Sequence, residues 1–89
     1  MLFMTVYTYE PANRDAVIKL RAEKGGLLPP GVKTVGEWSA VGAGRVFRLI
    51  EADSVPALLA AAHPWANLGK IETYPVMPVD DVIKLLTKK

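Results

Sequence analysis

GRVFRLIEADSVPALLAAAHPW, residues 44–65, runs from a strand into a helix with almost nothing between them. In RVFRLIEA (45–52), Val46, Arg48 and Ile50 share one face, and Phe47 and Leu49 the other. β-Branched and aromatic residues in strict alternation read as a strand. Ser54 then offers a hydroxyl as a helix N-cap, and Pro56 falls in the first turn, where its missing N–H costs little. An alanine- and leucine-rich run carries the helix to His63. A strand feeding directly into a helix is half of a crossover unit, so the flanking segments decide the fold.

Upstream, VKTVGEWSAV (32–41) and the strand above enclose GAG (42–44). Two apolar runs around a short glycine loop form a β-hairpin. A three-residue loop would pair Val41 with Arg45 and set Trp38 opposite Arg48. LFMTVYTY (2–9) alternates as a first strand, and Pro11 ends it. Asn13 is positioned to cap RDAVIKLRAEK (14–24), with Ala16, Val17, Leu20 and Lys24 along one side. Glycines 25 and 26 stop that helix, and LLPPG (27–31) is an extended loop. Downstream, GKIETYPVM (69–77) reads as a fourth strand. In PVDDVIKLLTKK (78–89), Val79, Val82, Ile83 and Leu86 follow helical spacing, with aspartates near the positive end and two closing lysines near the negative end. The order β-α-β-β-α-β plus a C-terminal helix is a ferredoxin-like α+β fold with a four-stranded antiparallel sheet. Right-handed crossovers place the first two helices on one face of that sheet. No linker or repeat interrupts the chain, so residues 1–89 form one domain.

Residue parity then assigns the two faces. A helix-covered face should avoid unpaired charge. That puts Phe47 and Leu49, with Leu2, Met4 and Val6, against the helices. The helix-free face receives Phe3, Thr5, Tyr7 and Tyr9, then Trp38, then Val46, Arg48 and Ile50, then Lys70, Glu72, Tyr74 and Val76. So large an apolar patch does not stay in water. The expectation is a homodimer through the helix-free sheet face, closing two sheets into a barrel with a small cavity between them.

The bulk numbers agree with this picture. The chain has 89 residues, of which 51% are hydrophobic, and so short a domain gains from burying apolar surface against a copy of itself. There is no cysteine and one histidine, so neither a disulfide framework nor a usual zinc ligand set is available, and no metal or cofactor is expected. The N-terminus has no basic region of a signal peptide, and no apolar run reaches the length of a membrane span. A cytoplasmic protein with no membrane partner is expected. The net charge of +2 is dispersed, without the basic stripe of a nucleic-acid binder. RNA-recognition motifs share this strand order but need two exposed aromatics on the third strand, where GRVFRLIE has one.

The stretch GAGRVFRLIEADSVPALLAAAHPWANLGKIETYPVMPV (42–79), together with the first strand and GEW (36–38), resembles the small dimeric α+β-barrel proteins. Within that group it is similar to short microbial proteins of a functionally uncharacterised family. The wider superfamily includes muconolactone isomerases and cofactor-free antibiotic-biosynthesis monooxygenases. The resemblance implies the fold and the dimer; one fold hosts many reactions, so it implies no particular chemistry. In several relatives an aspartate before the Pro-aromatic turn works with a histidine ending the first strand. Here His63 stands at the aspartate position and the first strand ends in tyrosines, so that dyad is absent.

Tyr7, Trp38, Arg48, Glu72 and Tyr74 are therefore the candidate lining of a small-molecule cavity between the sheets. Arg48 could hold a carboxylate or enolate by paired hydrogen bonds. Glu72 could act as a base if burial raised its pKa. The structural alternative is an Arg48–Glu72 ion pair, or Arg48 stacked on Trp38. His63 is a secondary candidate, with a helix-terminal residue favoured by the dipole as its alternative. Two functions compete: a dimer that binds a small organic molecule, with or without cofactor-free isomerase or monooxygenase activity, and a non-catalytic dimerisation or ligand-sensing module.

Overall fold

The structure is a computed structural model that describes residues 1–87. The two closing lysines, expected at the negative end of the last helix, lie outside the described residues. The chain runs β1 (Leu2–Tyr9), α1 (Arg14–Lys24), β2 (Val32–Ala40), β3 (Arg45–Ala52), α2 (Val55–Ala62), β4 (Gly69–Pro75) and α3 (Val79–Thr87). The strands form one antiparallel sheet in the order β2-β3-β1-β4, as the ferredoxin-like arrangement requires.

The local signals act as read, with two changes. Ser54 caps α2 by accepting the Ala57 amide at 3.3 Å. Asn13 occupies the N-cap of α1, but its side chain is spent elsewhere: Nδ2 donates to the Leu68 carbonyl at 3.0 Å and pins the helix start to the loop before β4. The hairpin loop is four residues, Val41–Gly44, because Gly42 and Gly44 both adopt positive φ. The register therefore slips by one, so that Trp38 faces Phe47 and Glu37 faces Arg48. A bulge between Thr34 and Gly36 shifts it once more.

The parity of β1 and β3 is the reverse of the expectation. Tyr7, Arg48 and Ile50 lie under α1 and α2, where Tyr7 packs with Val17 and Trp65. Leu2, Met4, Val6, Phe47 and Leu49 lie on the helix-free face with Trp38, Glu72 and Tyr74, as the pairs Trp38–Phe47, Val6–Phe47, Val6–Glu72 and Met4–Tyr74 require. The premise failed on Arg48. A buried charge needs a partner, not a particular side, and Arg48 finds one: its Nη1 donates to the Gly26 carbonyl just beyond α1 at 3.2 Å. The residue is only 9% exposed. Tyr7, likewise turned inward, satisfies its hydroxyl by donating to the Trp65 carbonyl at 2.9 Å.

Candidate functional site

The space between the helices and the sheet is not filled. A cavity of about 80 Å³ lies there. β1 supplies Thr5 and Tyr7 to its floor, and β3 supplies Val46, Arg48 and Ile50. Val17 and Arg21 of α1, and Leu58, Ala61 and Ala62 of α2, form its roof, and Trp65 closes one end. Small residues on α2 explain the space: alanines at 61 and 62 hold the helix over the sheet without filling what lies beneath.

The polar groups of this cavity are mostly donors. Arg48 carries five N–H donors in a planar fork, and one of its nitrogens is engaged with Gly26. Burial pulls its guanidinium below the ordinary arginine value; Glu37 opposes that shift and Arg21 adds to it. Arginine stays charged nonetheless. The indole nitrogen of Trp65 is buried with no hydrogen-bond partner in the protein. A buried unpaired N–H is rare and costs about 1–3 kcal/mol. Glu37 is the one carboxylate on the lining, and it is committed to Arg21, Oε1 to Nη2 at 2.7 Å. That ion pair joins α1 to β2 at the cavity wall. Thr5 donates its hydroxyl to the Arg48 carbonyl at 3.1 Å and fixes the strand that bears the guanidinium. Burial, and then the neighbouring Tyr9, push the Tyr7 phenol up, so it stays a neutral donor to Trp65.

Two of the five expected cavity residues, Tyr7 and Arg48, line this cavity; Trp38, Glu72 and Tyr74 stand across the sheet from it. Arg48 therefore neither pairs with Glu72 nor stacks on Trp38. Glu72 is no raised-pKa base either. It accepts a hydrogen bond from the Tyr74 hydroxyl and lies 3.8 Å from the Lys70 ammonium, and these two interactions, the hydrogen bond first, hold its carboxyl below the usual value. His63 caps the C-terminal end of α2, exposed and away from the cavity, which is the helix-terminal reading. Arg21, Glu37 and the Trp65 indole escaped the sequence reading. A cross-strand Glu37–Arg48 pairing would have pointed to the charged wall of this cavity, but it is visible only once the hairpin loop is known to hold four residues.

Among the described residues no three His, Cys, Asp or Glu side chains gather as metal ligands would. No helix among them is long and apolar enough to cross a membrane.

Residues 1–89 match the family described as domain of unknown function DUF3303. The chain belongs to the DUF3303 family. Among curated proteins, none matches it. The DUF3303 chain is similar in structure to an uncharacterised NIPSNAP domain protein from Burkholderia xenovorans, with a TM-score of 0.58 and 17% identity over 88% of this chain and 94% of that one. It is also similar to a protein from Agrobacterium tumefaciens, with a TM-score of 0.52 and 18% identity over 88% of this chain and 93% of that one. At such identities the likeness extends to the fold, and it supports the ferredoxin-like arrangement of this DUF3303 domain. The membership accords with the resemblance to a functionally uncharacterised microbial family.

Proposed function

We propose that this DUF3303 domain binds a small organic carboxylate in the cavity between its helices and its sheet, with Arg48 as the anion's anchor. The observation that carries the reading is the imbalance of the lining. Arg48 offers donors, the Thr5 and Tyr7 hydroxyls are spent on backbone carbonyls, most of the remaining lining is apolar, and the single carboxylate is already neutralised by Arg21. A ligand that satisfies such a site brings acceptor oxygens on an apolar body. Size narrows it further. A water needs about 10–15 Å³ of such space, so a cavity of about 80 Å³ takes a short unsaturated acid or a single ring.

Binding, rather than turnover, is what the geometry supports. Isomerase or cofactor-free monooxygenase chemistry of the wider superfamily would ask for a base beside the ligand. Glu37 is the one carboxylate on the lining, and Arg21 holds it. The expected site between two sheets gives way in this proposal to one inside each chain.

The test is a titration with crotonate and benzoate, followed by Trp65 fluorescence in a Trp38→Phe background, with benzyl alcohol as the uncharged control. Saturable binding of either acid, weakened at least about tenfold in Arg48→Met, is expected, since a charge-assisted bidentate contact contributes on the order of 1.5–3 kcal/mol. Equal affinity for acid and alcohol, or for wild type and Arg48→Met, would sink the proposal.

A further inference from the structure

Two guanidiniums converge on the cavity, and one carboxylate stands with them. Arg48 rises from the sheet floor beneath the helices and is 9% exposed. Arg21 reaches the same cavity from α1, with its side chain 48% exposed. Both arrive at one point above Gly26. A Cβ there would lie 2.7 Å from Nη1 of Arg21 and 3.7 Å from Nη1 of Arg48. The absent side chain at position 26 leaves the room in which the two cations meet.

Like charges so close repel, and each disfavours the charged form of the other. Arg21 works against the Arg48 charge, and Glu37 supports it. Glu37 is placed to serve both cations. It stands directly across the β2–β3 ladder from Arg48, and its Oε1 lies 2.7 Å from Nη2 of Arg21. Among the described residues no other charged side chain lines the cavity. The cluster is therefore two cations with one resident anion, and it has room for one more negative charge.

We propose that Glu37 is the specificity determinant of the carboxylate site: it occupies Arg21 as a built-in carboxylate, so that the site accepts a monoanion and turns away a dianion. The inference rests on the reading of Arg48 as the anion's anchor. A monocarboxylate on Arg48 balances the cluster. A dicarboxylate brings a second charge that finds Arg21 taken and the Glu37 carboxylate beside it. Repulsion of this kind is how a site separates ligands of one size and shape. The competing role for the pair is a tie between α1 and β2, and an ion pair this exposed contributes little as a tie. Glu37 also lies on an edge strand with its side chain 27% exposed, so Glu37→Gln removes the charge without burying an unpaired group.

The experiment is isothermal titration calorimetry of the wild type, Glu37→Gln and the double variant Arg21→Met/Glu37→Gln with crotonate, fumarate and maleate. Fumarate is crotonate with a carboxylate in place of its methyl group, and maleate turns that carboxylate to the same side. The wild type is expected to bind crotonate at least about tenfold more tightly than either dicarboxylate. In Glu37→Gln the ratio of dicarboxylate to crotonate affinity is expected to rise at least about tenfold, because Arg21 is free to take the second carboxylate. In the double variant the ratio falls back. Loss of a mere tie would weaken all three acids alike and leave the ratio in place. Crotonate binding by the wild type with an unmoved ratio in Glu37→Gln overturns this inference and leaves the Arg48 anchor standing. A wild type that prefers a dicarboxylate, or a raised ratio that persists in the double variant, overturns it too. No saturable binding of any acid by any of the three proteins overturns both readings.

Discussion

Arg48 on the central strand β3 donates to the Gly26 carbonyl, 3.2 Å away in the loop after α1. This contact brings a full positive charge beneath a helix layer. It also poses a choice between a structural tie and a binding group. The two roles separate in Arg48→Met, which keeps the apolar stem and removes the charge. Replacing a buried charge by an apolar side chain of similar volume is often neutral, because the desolvation cost disappears with the interaction. Glu37 keeps Arg21 as its partner, and Gly26 is only partly buried, so water can take its carbonyl. Arg48→Met is therefore expected to shift unfolding stability by less than about 1 kcal/mol while weakening carboxylate binding at least about tenfold. Urea denaturation beside the ligand titration checks both halves, and a large stability loss would assign Arg48 to structure.

Tyr7 makes the opposite case. Its hydroxyl meets the Trp65 carbonyl at 2.9 Å within the core cluster, and the two rings stand edge to face at 5.8 Å. Tyr7→Phe keeps the rings and removes one buried hydrogen bond, while the Trp65 carbonyl keeps the Leu68 amide at 3.2 Å. The expected cost is about 0.5–1.5 kcal/mol, which lowers Tm by roughly 2–12 °C in a domain of this size. Calorimetry at one fixed protein concentration measures it. An unchanged Tm would show that the Tyr7 hydroxyl adds nothing to what the Leu68 amide already gives the Trp65 carbonyl.

The order of elements was legible in the sequence because every boundary has a local chemical cause: Pro11 ends β1, glycines follow α1, Ser54 opens α2. The faces were not, because they depend on long-range partners. Whether Arg48 can point inward is decided by the Gly26 carbonyl, 22 positions earlier in the chain. A four-residue loop and a bulge, each invisible to alternation, slip β2 against β3. The same slip explains why Trp38 lies on the helix-free face, as expected, yet opposite Phe47 and not Arg48. The apolar character of that face survives the inversion because both faces of β1 and β3 are rich in large apolar residues. In such strands alternation marks the strand without saying which side is which.

On the helix-free face, Glu72 supplies a pH signature. The Tyr74 hydroxyl donates to its carboxylate, and Lys70 lies alongside. The folded-state pKa of Glu72 is depressed, so the ionised form is the one the fold favours. Its contribution is present above the unfolded pKa and is lost as the pH falls through the folded one. In Tyr74→Phe the largest cause disappears, and the Glu72 titration midpoint is expected to rise toward the ordinary glutamate value. Proton-coupled carbon NMR of the Glu72 carboxyl follows this directly. The Tyr74 phenol, raised by the same hydrogen bond and by the nearby charge, is expected to titrate lower in Glu72→Gln. Midpoints that stay in place in both variants would mean that the pair does not persist in solution.

The β2–β3 loop allows backbone strain and steric crowding to be separated. Gly42 and Gly44 sit at φ 76° and 60°, a region that costs an L-residue about 1–2 kcal/mol. At Gly42 an added Cβ would meet nothing within 4 Å. At Gly44 it would lie 2.8 Å from the Tyr9 carbonyl oxygen, on the strand whose amide donates to the Gly44 carbonyl at 2.9 Å. Backbone cannot swing aside as a side-chain tip can, so the clash must be relieved by parting β1 from the hairpin end. Gly42→Ala is expected to cost the conformational penalty alone, about 1–2 kcal/mol. Gly44→Ala carries that penalty plus the clash and the weakened Tyr9–Gly44 hydrogen bond, at least about 1 kcal/mol more. Denaturant midpoints of the two variants measure the gap, and amide exchange at Tyr9 locates it. Equal losses, with Tyr9 equally protected in both, would show that β1 does not approach Gly44 this closely.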